Sequence, residues 1–155
     1  HLVIKFDAAN TSVNVYLNGV DINLPTKNIS NTNYSVNNTV SHYIGSRNNN
    51  IDKFFGYMAE INFIDGQALN PYYFGEFKGG SVWIPKQFDG TASDTTYNVS
   101  GASNAYGTNG FRLSFASSDF NTSGSAVTDP HGSSTNVPDG YVADASGSGN
   151  HWDVN

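Results

Sequence analysis

An all-β, antiparallel architecture is predicted by three features of this chain. Apolar and polar residues alternate over residues 2–7, 12–18 and 54–64, the pattern that places successive side chains on opposite faces of a strand. Turn-forming residues, above all Asn18-Gly19, separate these runs. No apolar stripe at helical spacing extends beyond about two turns.

In order along the chain, Leu2, Ile4 and Phe6 alternate with Val3, Lys5 and Asp7, predicting a half-buried strand. Val13, Val15 and Leu17 share one face of the next strand, and Asn18-Gly19 supplies a hairpin turn because both residues tolerate positive φ. A return strand over 20–24 stops at Pro25, and 26–38 reads as a polar loop. Strands are then expected over 41–46 and 54–64, the second with Tyr57, Ala59, Ile61 and Phe63 on one face. Asn70-Pro71 suits the cap and first position of a short helical turn running to Glu76, broken by Gly79-Gly80. A short strand over 81–85 ends at Pro85. A polar loop fills 89–110, alternation returns over 111–115, and 116–140 is rich in turns. Tyr141-Val142 and His151-Trp152 read as the last extended pieces. The expected division is one unit over 1–78 and a loop-rich linker with the start of a second β module over 79–155.

Composition narrows the function classes. The 155 residues include 7 basic and 13 acidic side chains, a formal net charge of −6. That sign repels phosphate backbones and argues against a nucleic-acid partner. No apolar run approaches membrane-spanning length. Only 13% of residues are charged, yet the mean hydropathy is −0.40, so the polarity comes from Asn, Ser, Thr and Gly, as in β-rich chains with long polar loops. There is no cysteine, which excludes a disulfide framework and thiolate zinc sites. His1 leads directly into strand-like sequence and Asn155 comes just after an apolar-polar run, so both ends are expected to be cut from a longer chain.

The chemistry-bearing residues give no catalytic constellation. Glycoside hydrolysis on a sheet needs two carboxylates about 5–9 Å apart, and Glu60 stands alone on its expected strand. The reading is a surface or hydrogen-bonded sheet residue. His1, His42, His131 and His151 are scattered, without zinc-ligand spacing. No Gly-x-Ser-x-Gly elbow frames a serine nucleophile. Asp144-Ala145-Ser146-Gly147-Ser148-Gly149-Asn150 lacks the acidic ligands of a calcium loop and reads as a turn leading into His151-Trp152.

Three motifs in order carry a resemblance: Val13-Asn14-Val15-Tyr16-Leu17-Asn18-Gly19, then Tyr43-Ile44-Gly45, then Phe55 to Asp65 with Ala68-Leu69-Asn70 after it. Together they resemble the later half of a laminin G-type, pentraxin-like domain of the concanavalin A-like lectin superfamily. The remainder resembles the segment C-terminal to such domains in virion proteins of marine phages, with tail-fibre-like roles. The carrying segments there are Trp83-Ile84-Pro85-Lys86, Tyr106 to Leu113, and Asp144 to Trp152, interrupted by a polar insert at 92–105. The resemblance implies a concanavalin A-like (jelly-roll) sandwich portion, then an irregular, loop-rich β segment. Pentraxin-like lectins hold calcium in the loop after the Ile-Gly strand. Here that loop offers one carboxylate, Asp52, beside Arg47 and Lys53, a poor set for a hard cation. No cofactor is therefore expected, with calcium at this loop standing as the alternative.

The resulting expectation is a non-enzymatic structural or adhesion module of a virion, on the particle surface. Its partners would be a host-surface glycan or other virion proteins, and the chain would form a homo-oligomer, a trimer if it belongs to a fibre. A carbohydrate-active enzyme or its binding module from a marine bacterium, and a purely structural capsid-decoration or fibre-assembly segment, stand as alternatives. Ligand contact is expected at the loop edge formed by Tyr43, Arg47, Asn48, Asn49, Asn50 and Asp52. Amides, a cation, a carboxylate and an aromatic ring concentrate there, on a loop that a rigid sandwich would present.

Overall fold

The computed structural model describes residues 1–24, 36–47, 51–88, 106–131, 133–146 and 148–153. The chain is all-β: the described residues form ten short strands in small antiparallel sheets, with single 3-10 turns and no α-helix. They group into two compact units, one of His1–Asn31 with Phe63–Phe111, the other of Thr32–Asn62 with Arg112–Asn155. Each unit is built from two separated stretches of chain. The sequential division expected after residue 78 falls instead inside a hairpin, because β5 (Gly75–Lys78) pairs with β6 (Val82–Pro85) across Gly79-Gly80.

In the first unit, β1 (Leu2–Asp7), β2 (Ser12–Leu17) and β3 (Val20–Asp21) form a meander with Leu2 opposite Leu17, Ile4 opposite Val15 and Phe6 opposite Val13. Asn18 and Gly19 have φ of 48° and 79°, and Leu17 pairs with Val20. This is the two-residue turn whose twist matches that of the strands it joins. The return strand is shorter than expected, although Ile22 still donates its N–H to the Val15 carbonyl at 2.9 Å.

The faces of β1 are reversed relative to simple amphipathic reasoning. Leu2, Ile4 and Phe6 are 60%, 51% and 50% exposed, while Val3, Lys5 and Asp7 are half-buried. Val3 packs against the unit's core of Leu69, Tyr73, Phe74, Phe88 and Tyr106, and the Lys5 ammonium reaches the Asn70 side chain at 3.4 Å. Phe74 and Tyr106 both pack on Phe88, at ring separations of 5.2 and 5.3 Å. The expected helical turn is a 3-10 turn at Pro71–Tyr73. Asn70 occupies the cap position without capping through its side chain, because that side chain accepts from Lys5. The turn stops there, and residues 75–78 are strand.

β4 (Ile61–Phe63) pairs with β7 (Phe111–Leu113), and the chain passes between the units within these two strands. The expected strand over 54–64 is thus reduced to its last part. Glu60 stops it, with φ of 53°, a conformation that strand residues do not adopt.

The second unit's remaining strands are β8 (Phe120–Asn121), β9 (Tyr141–Val142) and β10 (Trp152–Asp153), in a sheet with β9 at its centre. Leu113, Val137, Val142 and Ala143 are its buried apolar residues. A bridge between Val127 and Val137 closes the turn-rich stretch between β8 and β9. The described residues of that stretch form no long strands and are held instead by side-chain hydrogen bonds to the backbone.

Candidate ligand-binding site

The expected contact edge lies in the second unit, on a tight reversal of chain. The Phe54 N–H donates to the Gly45 carbonyl at 2.7 Å and the Arg47 N–H to the Ile51 carbonyl at 2.9 Å. Residues 44–46 form bends, and no strand covers the expected 41–46. The reversal brings Arg47 and Asp52 together, with Nε 2.9 Å from Oδ2 and both side chains about two-thirds exposed, at 67% and 70%. An exposed pair of this kind contributes little stability, about 0–1 kcal/mol. It does hold a guanidinium fork and a carboxylate side by side at the surface. Tyr43 is also exposed, at 53%. Asn48, Asn49 and Asn50 lie outside the described residues.

Exposed aromatic rings continue past this edge, which the alternating pattern does not foretell. Alternation puts Tyr57 on one strand face with Ile61 and Phe63. With no strand over 54–60, Phe54, Phe55 and Tyr57 are 56%, 93% and 103% exposed. The physical cause is the break at Glu60. Its carboxylate is gripped by Arg112, Nε and Nη2 each lying 2.9 Å from an oxygen. Glu60 is accordingly a hydrogen-bonded residue at the start of a strand, and its two oxygens face a cation.

Elsewhere in the second unit lies a set of carboxylates and imidazoles that sequence spacing does not reveal. Asp119, Asp129 and Asp144 are each at most 5% exposed. Asp119 accepts hydrogen bonds from the Ser114 hydroxyl, the Ala116 N–H at 3.2 Å and the Ser118 hydroxyl at 3.2 Å, and His131 Nε2 lies 3.0 Å away. Burial alone would push this carboxyl up. The hydrogen bonds from Ser114, His131 and Ser118, with the adjacent imidazole charge, outweigh burial and hold it below the ordinary carboxylate value.

The order of these groups decides their chemistry. A serine nucleophile needs the imidazole between hydroxyl and carboxylate. Here the carboxylate stands between Ser114 and His131, so the ring cannot take the Ser114 proton. His151 is equally committed. Its Nδ1 accepts the Asp144 N–H at 3.0 Å, and its Nε2 lies 3.2 Å from the Thr135 hydroxyl and 4.0 Å from Asp129. Asp129 itself accepts the N–H groups of His131 and Ser133 at 2.8 and 3.3 Å. The Asp144 carboxylate accepts three backbone N–H groups, from Arg112 and Ser146 at 2.9 Å and Asn150 at 3.1 Å. The segment from Asp144 is thus a turn tied to its own first residue, leading into β10 as expected from its composition.

Asp119 makes stability depend on pH. Its carboxyl pKa is lowered on folding, so its stabilisation is fully present above the unfolded value near 3.8 and is lost as pH falls through the lower folded value. The second unit should lose stability to acid below about pH 4. Asp119→Asn should flatten the thermal midpoint between about pH 5 and pH 3. An unchanged slope in a pH series of melting curves would remove Asp119 from this account.

No protein-family model, no curated protein and no solved structure matches this chain.

Proposed function

We propose that the chain is a non-enzymatic adhesion module of a virion surface appendage, and that it contacts a host-surface glycan through the edge from Tyr43 to Asp52. The observation that carries the reading is that edge: an exposed ring, Tyr43, on a short reversal that also presents the Arg47–Asp52 pair, with three amide side chains between them in the sequence. Sugars are held by flat rings against their apolar faces and by forked donors and acceptors against their hydroxyls. The motif resemblance to laminin G-like domains of phage virion proteins supplies the setting. The buried carboxylates support a non-enzymatic role, because Asp119, Asp129 and Asp144 spend their oxygens on neighbouring N–H and O–H groups.

The experiment is glycan-array and host-cell binding by the folded protein, compared with Tyr43→Ala and with Gly-Ser-Gly in place of Asn48, Asn49 and Asn50. Loss of one ring contact of about 1–1.5 kcal/mol corresponds to about a tenfold weaker binding. Unchanged binding by both folded variants would discard the edge. Release of reducing sugar from a glycan by the unmodified protein would discard the non-enzymatic reading.

A further inference from the structure

The first unit carries a sheet edge that is complementary to itself. β1 is the outer strand of the order β1-β2-β3. Its pairing with β2 places His1 opposite Asn18, whose N–H donates to the His1 carbonyl at 2.8 Å. In an antiparallel ladder hydrogen-bonded pairs alternate, so Val3, Lys5 and Asp7 turn their backbone groups toward β2. The N–H and C=O groups of Leu2, Ile4 and Phe6 point away from it. Among the described residues no backbone group pairs with that outer edge. The side chains of the same three residues are half or more exposed. Proteins usually blunt such an edge with proline, a bulge or an exposed lysine. β1 has no proline, it pairs with β2 residue for residue without a bulge, and its one lysine is held toward Asn70 on the opposite face.

We propose that β1 pairs antiparallel with β1 of a second copy of this chain, with the two-fold axis at Ile4. Strand pairing is fixed by register, and the candidates can be compared. Centred on Ile4, the pairing sets Ile4 against Ile4 of the other copy and Leu2 against Phe6, and every one of these residues offers outward backbone groups. Each pair can exchange both of its N–H···O bonds. Apolar side chains meet on one face, Val3 meets Lys5 on the other, and no like charges oppose. Centred on Lys5, two ammonium groups would face each other at the closest spacing, which is unfavourable. Centred on Val3 or Phe6 the ladder is shorter, because the ends of β1 run out. The Ile4 register therefore satisfies the most edge groups and joins two three-stranded sheets into one. It takes part of the exposed surface of Leu2, Ile4 and Phe6 from water. The partner is a second copy rather than an arbitrary strand because hydrogen bonding, apolar face and charge agree in one two-fold register. This pairing does not depend on the proposed glycan contact.

The test uses the absence of cysteine from the chain. Residues opposed in a hydrogen-bonded pair have Cα atoms about 5.5 Å apart, within the range a disulfide spans. Under mild oxidation Ile4→Cys should give a covalent dimer, Leu2→Cys alone should not, and Leu2→Cys combined with Phe6→Cys should. Sedimentation velocity of the unmodified protein at tens of micromolar should show a dimer. Ile4→Lys, which places two ammonium groups on the axis without touching the core, should give a monomer with an unchanged circular dichroism spectrum. A monomeric unmodified protein, equal cross-linking of Leu2→Cys and Ile4→Cys, or a dimer that survives Ile4→Lys would each overturn the proposal.

Discussion

Asp144→Ala is expected to unfold the second unit at temperatures where the parent is fully folded. The Asp144 side chain is fully buried, at 0% exposure, and it accepts the N–H groups of Arg112, Ser146 and Asn150. Those donors belong to β7 and to both ends of the 145–150 turn. The turn has no strand ladder of its own, so the carboxylate is what closes it. Alanine leaves three partly buried N–H groups without their acceptor, each costing about 1–3 kcal/mol where water cannot reach it, more where the lost acceptor was charged. The sum, about 3–5 kcal/mol after partial relaxation, is a large share of the stability of a small unit. Asp144→Asn keeps one carbonyl acceptor and should cost roughly half as much. Urea unfolding monitored by Trp152 fluorescence in a Trp83→Phe background, which removes the first unit's tryptophan, measures both. A loss of less than about 1 kcal/mol for Asp144→Ala would show that water replaces the carboxylate and that the turn is not held by it.

Gly110→Ala should do comparable damage to the first unit, for a steric reason. A Cβ at residue 110 would overlap the Tyr106 carbonyl oxygen, far inside van der Waals contact, and lie 2.8 Å from the carbonyl oxygen of Phe63. Both obstacles are backbone and cannot rotate away. Phe63 lies in β4, and the Tyr106 carbonyl also accepts the Asp65 N–H at 2.9 Å, so moving either disturbs pairing. Tyr106 also belongs to the core around Phe88. The expected cost is about 3 kcal/mol or more. Gly66→Ala is the control: no atom stands within 4 Å of its Cβ position, and only its φ of 79° opposes the change, a penalty of about 1 kcal/mol. If the two alanines are equally mild in thermal melts, the close approach at residue 110 is not rigid.

The Arg47–Asp52 edge and the Asp119–His131 pair differ in how far sequence could foretell them. Arg47 and Asp52 are five positions apart, so a local reversal of the chain suffices to bring them together. The structure does join them. Asp119 and His131 come together through the 3-10 turn at Ser117–Asp119 and the bridge of Val127 to Val137. No periodicity marks either feature. The order Ser114, Asp119, His131, which rules out a serine–imidazole–carboxylate relay at this group, is equally invisible in the sequence.

Local residue choice by itself determined the all-β class, the Asn18-Gly19 hairpin, the β1–β2 alternation and the turn that begins at Asp144. Each rests on interactions between near neighbours, on backbone conformations that few residues tolerate, or on a side chain long enough to reach its own turn. Alternation says that a strand has two faces but not which one meets the core. Tertiary packing chose the Val3 face of β1 over the Leu2, Ile4 and Phe6 face, because Val3 lies against Leu69, Tyr73, Phe74, Phe88 and Tyr106. Those residues come from 66 or more positions further along the chain. The same holds for Tyr57, whose expected strand is broken at Glu60 by its positive φ while Arg112, 52 positions away, grips its carboxylate. Burial is a property of what arrives from elsewhere in the chain, and a single strand carries no record of it.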